Sequence, residues 1–188
     1  MQTYTLNICG LKRELPIVPV SDELSIASFV ILGDTELVRT VGPKLAQKLP
    51  EFDVLISAEA KGIPLIYEVS RFFDMNYIVA RKSIKSYMQN PVKVKVNSIT
   101  TEEEQILCLN GRDAKKVNGK KVAIIDDVIS SGASIAAIEK LVNKAGGKVV
   151  AKAAILAEGE AVKRDDIIYL KELPLFNNNE KSKYNILK

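Results

Sequence analysis

Val122–Ser134 reads VAIIDDVISSGAS. Its four leading apolar residues, Val122–Ile125, have the character of a short strand buried on both faces. Two adjacent carboxylates, Asp126 and Asp127, follow at the carboxyl end of that strand. Ser130, Ser131, Gly132, Ala133 and Ser134 then make a short loop of small residues that opens a helix. In an open parallel sheet, ligands bind beyond the carboxyl ends of the strands. A small-residue loop entering a helix N-terminus offers backbone N–H groups and hydroxyls to a phosphate, and a glycine there lets the backbone turn close to the anion. Paired carboxylates just before the loop suit a polyhydroxylated sugar carrying that phosphate. They accept bonds from its hydroxyls and hold Mg2+ directly or through water. No Gly-Lys-Ser/Thr follows, so this is not a Walker A loop, and no GxGxxG is present to make a dinucleotide fingerprint.

Similar units flank the stretch. The spacing of Ile135, Ile138, Leu141 and Val142 predicts a helix over 133–145, stopped by Gly146-Gly147. Val149–Leu156 reads as the next strand and Asp166–Leu170 as another. Upstream, Asp53–Ser57 and Asn76–Ala80 read as strands around a helix at Ile63–Phe73, and Glu104–Leu109 as a further strand. Buried strands alternating with helices predict an α/β fold, a parallel twisted sheet flanked by helices. Residues 2–9 and 12–18 read as a hairpin split by Gly10, and 23–32 as a short buried helix or a segment of a covering hood. Leu37, Val38, Val41, Leu45 and Leu49 predict a helix, which Gly42-Pro43 should kink or interrupt. Residues 82–103 are polar and basic with no helical period, and the polar tail from Asn177 is expected to fray.

Composition excludes much other chemistry. A chain of 188 residues buries about 70% of its surface on folding, enough for one domain spanning 1–188. With 47% hydrophobic and 27% charged residues it is not a disordered chain. Two cysteines, Cys9 and Cys108, cannot make a disulfide framework or a multi-cysteine zinc site. The absence of histidine excludes Ser-His-Asp and Cys-His pairs and HExxH zinc chemistry, leaving proton transfer to carboxylate, lysine, tyrosine, substrate or backbone. A net charge of +4 does not argue for nucleic acid. The start MQTYTLNICG shows no signal peptide, and no apolar run approaches a membrane span, so a soluble cytoplasmic protein is expected.

The whole pattern at 122–134 resembles the PRPP (phosphoribosyl pyrophosphate) signature of the type I phosphoribosyltransferases. Two further stretches extend the resemblance. Glu59-Ala60-Lys61-Gly62 is similar to the pyrophosphate-binding loop of adenine phosphoribosyltransferases, where Gly62 would allow a strained peptide beside a dianion. Arg81-Lys82, with Lys85, opens a polar segment where the family has a mobile loop, here about 83–101. The resemblance covers about 50–160 well and is weak before 35 and after Phe176. It implies transfer of 5-phosphoribosyl from PRPP to a nitrogenous base, giving a nucleotide and pyrophosphate, with Mg2+ as cofactor and Asp126 and Asp127 as its ligands. It implies PRPP contacts from Glu59, Ala60, Gly62, Lys85, Asp126, Asp127 and Ser130–Ser134, and leaving-group stabilisation by Lys61, Arg81 and Lys82. It also implies hood elements at about 1–35 and 165–180, a base pocket drawn from Phe29, Ile129 and Leu173, and a homodimer.

The base is read less directly. Enzymes of the hypoxanthine-guanine type carry an aspartate where this chain has Ser130, and adenine enzymes carry a small residue there. Adenine is therefore the expected acceptor, with a loop glutamate, Glu102 or its neighbours Glu103 and Glu104, handling the base proton. Alternatives are a xanthine or orotate phosphoribosyltransferase, since Arg81-Lys82-Ser83-Ile84-Lys85 is similar to the RKxxK of orotate enzymes but lacks their following His-Gly, and a non-catalytic PRPP-binding regulator. The regulator is disfavoured by the presence of both acids and by the lack of room for a DNA-binding domain.

Overall fold

The computed structural model describes residues 2–96, 105–178 and 186–187. The N-terminal hairpin β1 (Thr3–Ile8) and β2 (Leu11–Pro19) is followed by β3 (Leu24–Ala27), α1 (Thr35–Ala46), β4 (Val54–Ala58), α2 (Ile63–Phe72) and β5 (Tyr77–Ala80). Next come the hairpin β6 (Val92–Val96) and β7 (Gln105–Leu109), α3 (Gly111–Val117), β8 (Lys121–Ile129), α4 (Ala133–Lys144) and β9 (Lys148–Glu158). A 3-10 turn at Gly159–Lys163 leads to β10 (Ile168–Leu173), β11 (Leu175–Asn177) and β12 (Ile186–Leu187).

The central sheet is parallel, in the order β10-β9-β8-β4-β5. Its strands are apolar on both faces because both faces are covered. Leu37 and Val38 of α1 and Leu65, Ile66 and Val69 of α2 pack on one side, with Leu55, Ile125 and Ile155. Ala114 and Val117 of α3 and Ile135, Ile138, Leu141 and Val142 of α4 pack on the other, with Val122, Ile124 and Ala154. From β4 the chain runs through α2 to the β5 edge, and from β8 it runs through α4 towards β9. The neighbouring strands β4 and β8 thus send their connections in opposite directions, and the crevice this opens at their carboxyl ends is where such sheets bind ligands. A second, antiparallel sheet, β1-β2-β3-β11-β12, lies on the α1–α2 side: its Leu6, Leu15, Ala27 and Phe176 share that core.

Several local expectations are corrected. Residues 23–32 form no helix; Leu24–Ala27 is a strand paired with β2 and β11. Helix α1 is not interrupted by Pro43, which lies inside it, and burial of Leu37, Val38, Val41 and Leu45 holds the helix through the lost hydrogen bond. Part of the expected loop at 83–101 is the strand β6, whose Val-Lys alternation pairs it with β7 and places Val92, Val94 and Val96 against the α3–α4 core. Glu102, Glu103 and Glu104, and most of the tail after Asn178, lie outside the described residues. Among the described residues no helix is long and apolar enough to cross a membrane.

Candidate active site

Strand β8 does not stop at Ile125. It continues through Asp126 and Asp127 to Ile129, pairing with β9 on either side of Asp127. The side-chain alternation slips across the two acids: Ile125 and Val128 pack on the α1–α2 side, while Ile124 and Ile129 pack on the α3–α4 side. A strict two-residue period would send adjacent carboxylates to opposite faces. The slip lets both Asp126 and Asp127 line one cavity of about 430 Å³, within the range of small-molecule sites.

The same slip removes one expected base contact. Ile129 is fully buried against α4 and does not reach the cavity; Val128 faces it instead. Phe29 and Leu173 do line the cavity and form its apolar wall on the antiparallel-sheet side. Ser130 and Ser134 line it from the β8–α4 loop, and Glu59, Ala60 and Lys61 from the β4–α2 loop. Gly132, between those serines, has φ +78 and caps α4, whose N-terminus has no side-chain hydrogen bond of its own. Only Ser131 Oγ approaches it, 3.4 Å from the Ala133 N–H. Among the described residues the Ser134 and Ile135 N–H groups of the first turn of α4 have no such partner and can meet an anion.

Helix α2 brings a second N-terminus to the same crevice, capped by Gly62. A Cβ at Gly62 would collide with Ser57 Oγ of β4, whereas Asp126 Oδ1 and the Ile125 carbonyl of β8, both at 3.4 Å, would be in ordinary contact, so it is the fold-back of the β4–α2 turn onto its own strand that needs glycine. The Glu59–Ala60 peptide bond is cis. Glu59 accepts a hydrogen bond from the Lys82 N–H at 2.6 Å and faces Arg81 Nε at 2.8 Å. Arg81 also pairs through its backbone with Cys108 of β7, donating at 2.9 Å and accepting at 2.8 Å. Arg81 therefore positions the β4–α2 turn, whereas Lys82 is the basic residue of this segment that lines the cavity. Lys85 donates to Ser83 Oγ at 2.6 Å, outside the cavity lining.

Lys61 Nζ stands 3.1 Å from Asp127 Oδ2, an oxygen that is buried and has no hydrogen-bond partner among the described residues. Asp126 accepts the Asp127 N–H at 2.9 Å. Asp126 keeps one edge open to the cavity but has little water around it; this desolvation, reinforced by the like charge of Asp127, raises its carboxyl to about 7. An unfolded aspartate titrates near 4, so between about pH 4 and 7 the folded state binds more protons than the unfolded one. Stability conferred at low pH is then lost as pH rises through that window. The ligand-free Asp126→Asn variant should lose this decline and exceed the parent in urea resistance at pH 8, though not at pH 4. Parallel urea curves for the two proteins across that range would overturn the assignment.

Two residues near the cavity carried no signal in the sequence reading. Glu158, the last residue of β9, is 8% exposed and lines the cavity. Arg164 places Nη1 against Gly132 while donating from Nε and Nη2 to Asp166, both at 2.8 Å.

The switch-point crevice thus holds a carboxylate pair, a lysine and two helix N-termini whose glycine caps supply no side-chain hydrogen bond. Residues 35–184 match the phosphoribosyl transferase domain. The chain belongs to that family. As a phosphoribosyltransferase it is 32% identical over 136 residues to a hypoxanthine/guanine phosphoribosyltransferase of Methanococcus voltae, covering 72% of this chain and 69% of that one. It is 31% identical over 165 residues to the protein of the same name from Methanotorris igneus, covering 85% and 83%. The adenine phosphoribosyltransferase structure from Thermoanaerobacter pseudethanolicus superposes with a TM-score of 0.67 at 20% identity, covering 84% of this chain and 95% of that one. The one from Rhodothermus marinus gives 0.60 at 19% identity, covering 91% and 94%. At such identities these structures speak for the fold of the phosphoribosyltransferase, an α/β parallel sheet flanked by helices.

Proposed function

We propose that this phosphoribosyltransferase transfers the 5-phosphoribosyl group of PRPP to a purine base, releasing pyrophosphate and a nucleoside monophosphate. The observation that carries the reading is one cavity lined by the Ser130–Ser134 loop, Asp126 and Asp127, the Lys61 turn and the apolar wall of Phe29 and Leu173. The 5-phosphate binds the N-terminus of α4, the ribose hydroxyls face the acids, and the pyrophosphate lies against Lys61, Lys82 and the N-terminus of α2. The base stacks on Phe29 and Leu173.

Mg2+ fits this donor set. Among the described residues no cluster of three or more His, Cys, Asp or Glu is arranged to hold a metal, so the ion would take its other ligands from substrate oxygens and water, as Mg2+ usually does. Asp127, with its unbonded buried oxygen, and Asp126 are the residues that would hold it. Bound there, it would offset negative charge on the leaving pyrophosphate. The chain's own part is electrostatic. Lys61, Lys82 and the amides of α2 stabilise that growing charge, and the fixed 5-phosphate positions C1 of the ribose. Arg81 contributes by holding Glu59, and through it the Lys82 backbone.

Hypoxanthine and guanine are the acceptors favoured by the curated relatives, whose names specify those bases at 31–32% identity. Adenine is the second reading, favoured by Ser130 at the position where the hypoxanthine-guanine type carries an aspartate. The test is pyrophosphate release from PRPP and Mg2+ with adenine, hypoxanthine, guanine, xanthine and orotate in parallel. We expect release with a purine, and kcat/KM at least tenfold higher for hypoxanthine or guanine than for adenine. A tenfold preference for adenine exchanges the two readings; release with orotate alone, or with no base, overturns the purine assignment.

A further inference from the structure

When a purine is ribosylated, one imidazole nitrogen attacks C1 with its lone pair, and the N–H on the other becomes acidic as positive charge develops on the ring. The proton needs an acceptor beside the base, and this chain has no histidine to provide one. Four carboxylates line the cavity. Glu59 is engaged by Arg81 at 2.8 Å and by the Lys82 N–H at 2.6 Å. Asp127 faces Lys61 at 3.1 Å, and Asp126 accepts the Asp127 N–H at 2.9 Å; both lie on the sugar side. Glu158 differs from these. Among the described residues its carboxylate makes no hydrogen bond and no ion pair, although it is only 8% exposed.

Buried polar groups are nearly always paired, and one left open towards a cavity points to a ligand. The neighbours of Glu158 identify which part of the ligand it meets. β9 pairs with β8 as Val128 with Leu156 and Ile129 with Ala157, so Glu158 comes next to Ser130. On its other side Glu158 pairs with Leu173, part of the apolar wall with Phe29. It therefore stands at the base end of the cavity. Resting on the purine reading above, we infer that Glu158 is the catalytic residue that accepts the imidazole proton of the base. The C1–N bond forms as the C1–O bond to pyrophosphate breaks. Pyrophosphate leaves with the bonding pair, the ring proton passes to a Glu158 carboxylate oxygen, and Glu158 returns it to water as the products depart.

The surroundings suit this work. Burial pushes the Glu158 carboxyl up, which makes it a stronger base than a solvated glutamate, while Lys61 pulls it part of the way back. Lys61 of the β4–α2 turn is the charge that acts on it; Asp126, Asp127, Glu59 and Lys82 share the cavity, and β10 presents only Leu173 there.

The test compares the parent with Glu158→Gln, which keeps size and hydrogen-bonding capacity but cannot take the proton. Each is assayed with its preferred purine and with the 8-aza analogue of that purine, whose ring N–H is more acidic. We expect kcat to fall at least thirtyfold with the natural base and at least tenfold less steeply with the analogue. The acid limb of the parent's kcat profile should be missing from the variant. Stabilisation of the variant by PRPP with Mg2+ in a thermal shift should equal that of the parent, which shows an intact fold. Unchanged kcat, or an equal loss with both bases, overturns the inference. So does finding this pattern of losses in Glu102→Gln instead. If the parent releases pyrophosphate with no purine, the functional reading fails and this inference falls with it; if the parent is active, only the role of Glu158 is at stake.

Discussion

Asp127→Asn is expected to lower kcat/KM for PRPP by roughly 10–100-fold. Asp127 is almost fully buried, its Oδ2 has no hydrogen bond among the described residues, and Lys61 Nζ stands 3.1 Å from it. The carboxylate thus keeps an oxygen available to the ribose or to a bound Mg2+. A lost contact to a charged group costs about 1.5–3 kcal/mol, and each 1.4 kcal/mol is tenfold in rate. Folding stability should barely respond at neutral pH. Lys61 is half exposed, and an ion pair with one solvated partner contributes at most about 1 kcal/mol. Asp126→Asn should also impair PRPP use while stabilising the ligand-free protein at high pH, so the two variants separate in urea although they agree in kinetics. An unchanged kcat/KM for PRPP in both would sink the assignment of the acid pair.

The contrast between the two acids shows where the sequence was readable. VAII followed by two aspartates and a small-residue loop announces a strand and an anion site, because local chemistry alone makes that combination. It does not announce that Val128 and Ile129 extend the strand, nor that the alternation slips at the acids. That slip belongs to tertiary packing on the two faces of the sheet, and it decides that Val128 rather than Ile129 lines the cavity. Glu158 was invisible for a related reason. In the run Leu156-Ala157-Glu158-Gly159-Glu160 it looks like a solvated turn, and only its register with Leu173, one step beyond the Ile129–Ala157 pair, brings it to the cavity. Arg81 and Lys82 are adjacent and equally basic, yet one is consumed by Glu59 and the other faces the ligand space, a division set by the bridge from Arg81 to Cys108. Helix α3 went unread because two buried residues, Ala114 and Val117, and an Asn110 cap leave almost no period to detect.

Gly132→Ala is expected to raise KM for PRPP by about tenfold or more and to lower unfolding stability by about 1–2 kcal/mol. Gly132 has φ +78, a conformation that costs a residue with a Cβ roughly 1–2 kcal/mol. The added Cβ would also meet Arg164 Nη1, but that atom ends a flexible side chain and can swing away. Moving it forfeits only the two 2.8 Å bonds to Asp166, half exposed and worth little. Strain in the backbone is therefore the larger part, and the loop has two responses. It can keep the left-handed turn and bear the strain, or leave it and lose the convergence of the Ser130–Ser134 amides on the phosphate. Relief of strain favours leaving the turn in the ligand-free protein, and PRPP must then restore it on binding, which raises KM. Arg164→Ala combined with Gly132→Ala distinguishes backbone from side chain. If crowding against Arg164 were the cause, the double variant would recover both KM and stability. If the backbone is the cause, it will not, and Arg164→Ala alone will stay within about half a kcal/mol of the parent. A Gly132→Ala enzyme with parental KM for PRPP and parental stability would show that neither the left-handed turn nor its strain bears on binding, and the anion site would have to be placed elsewhere.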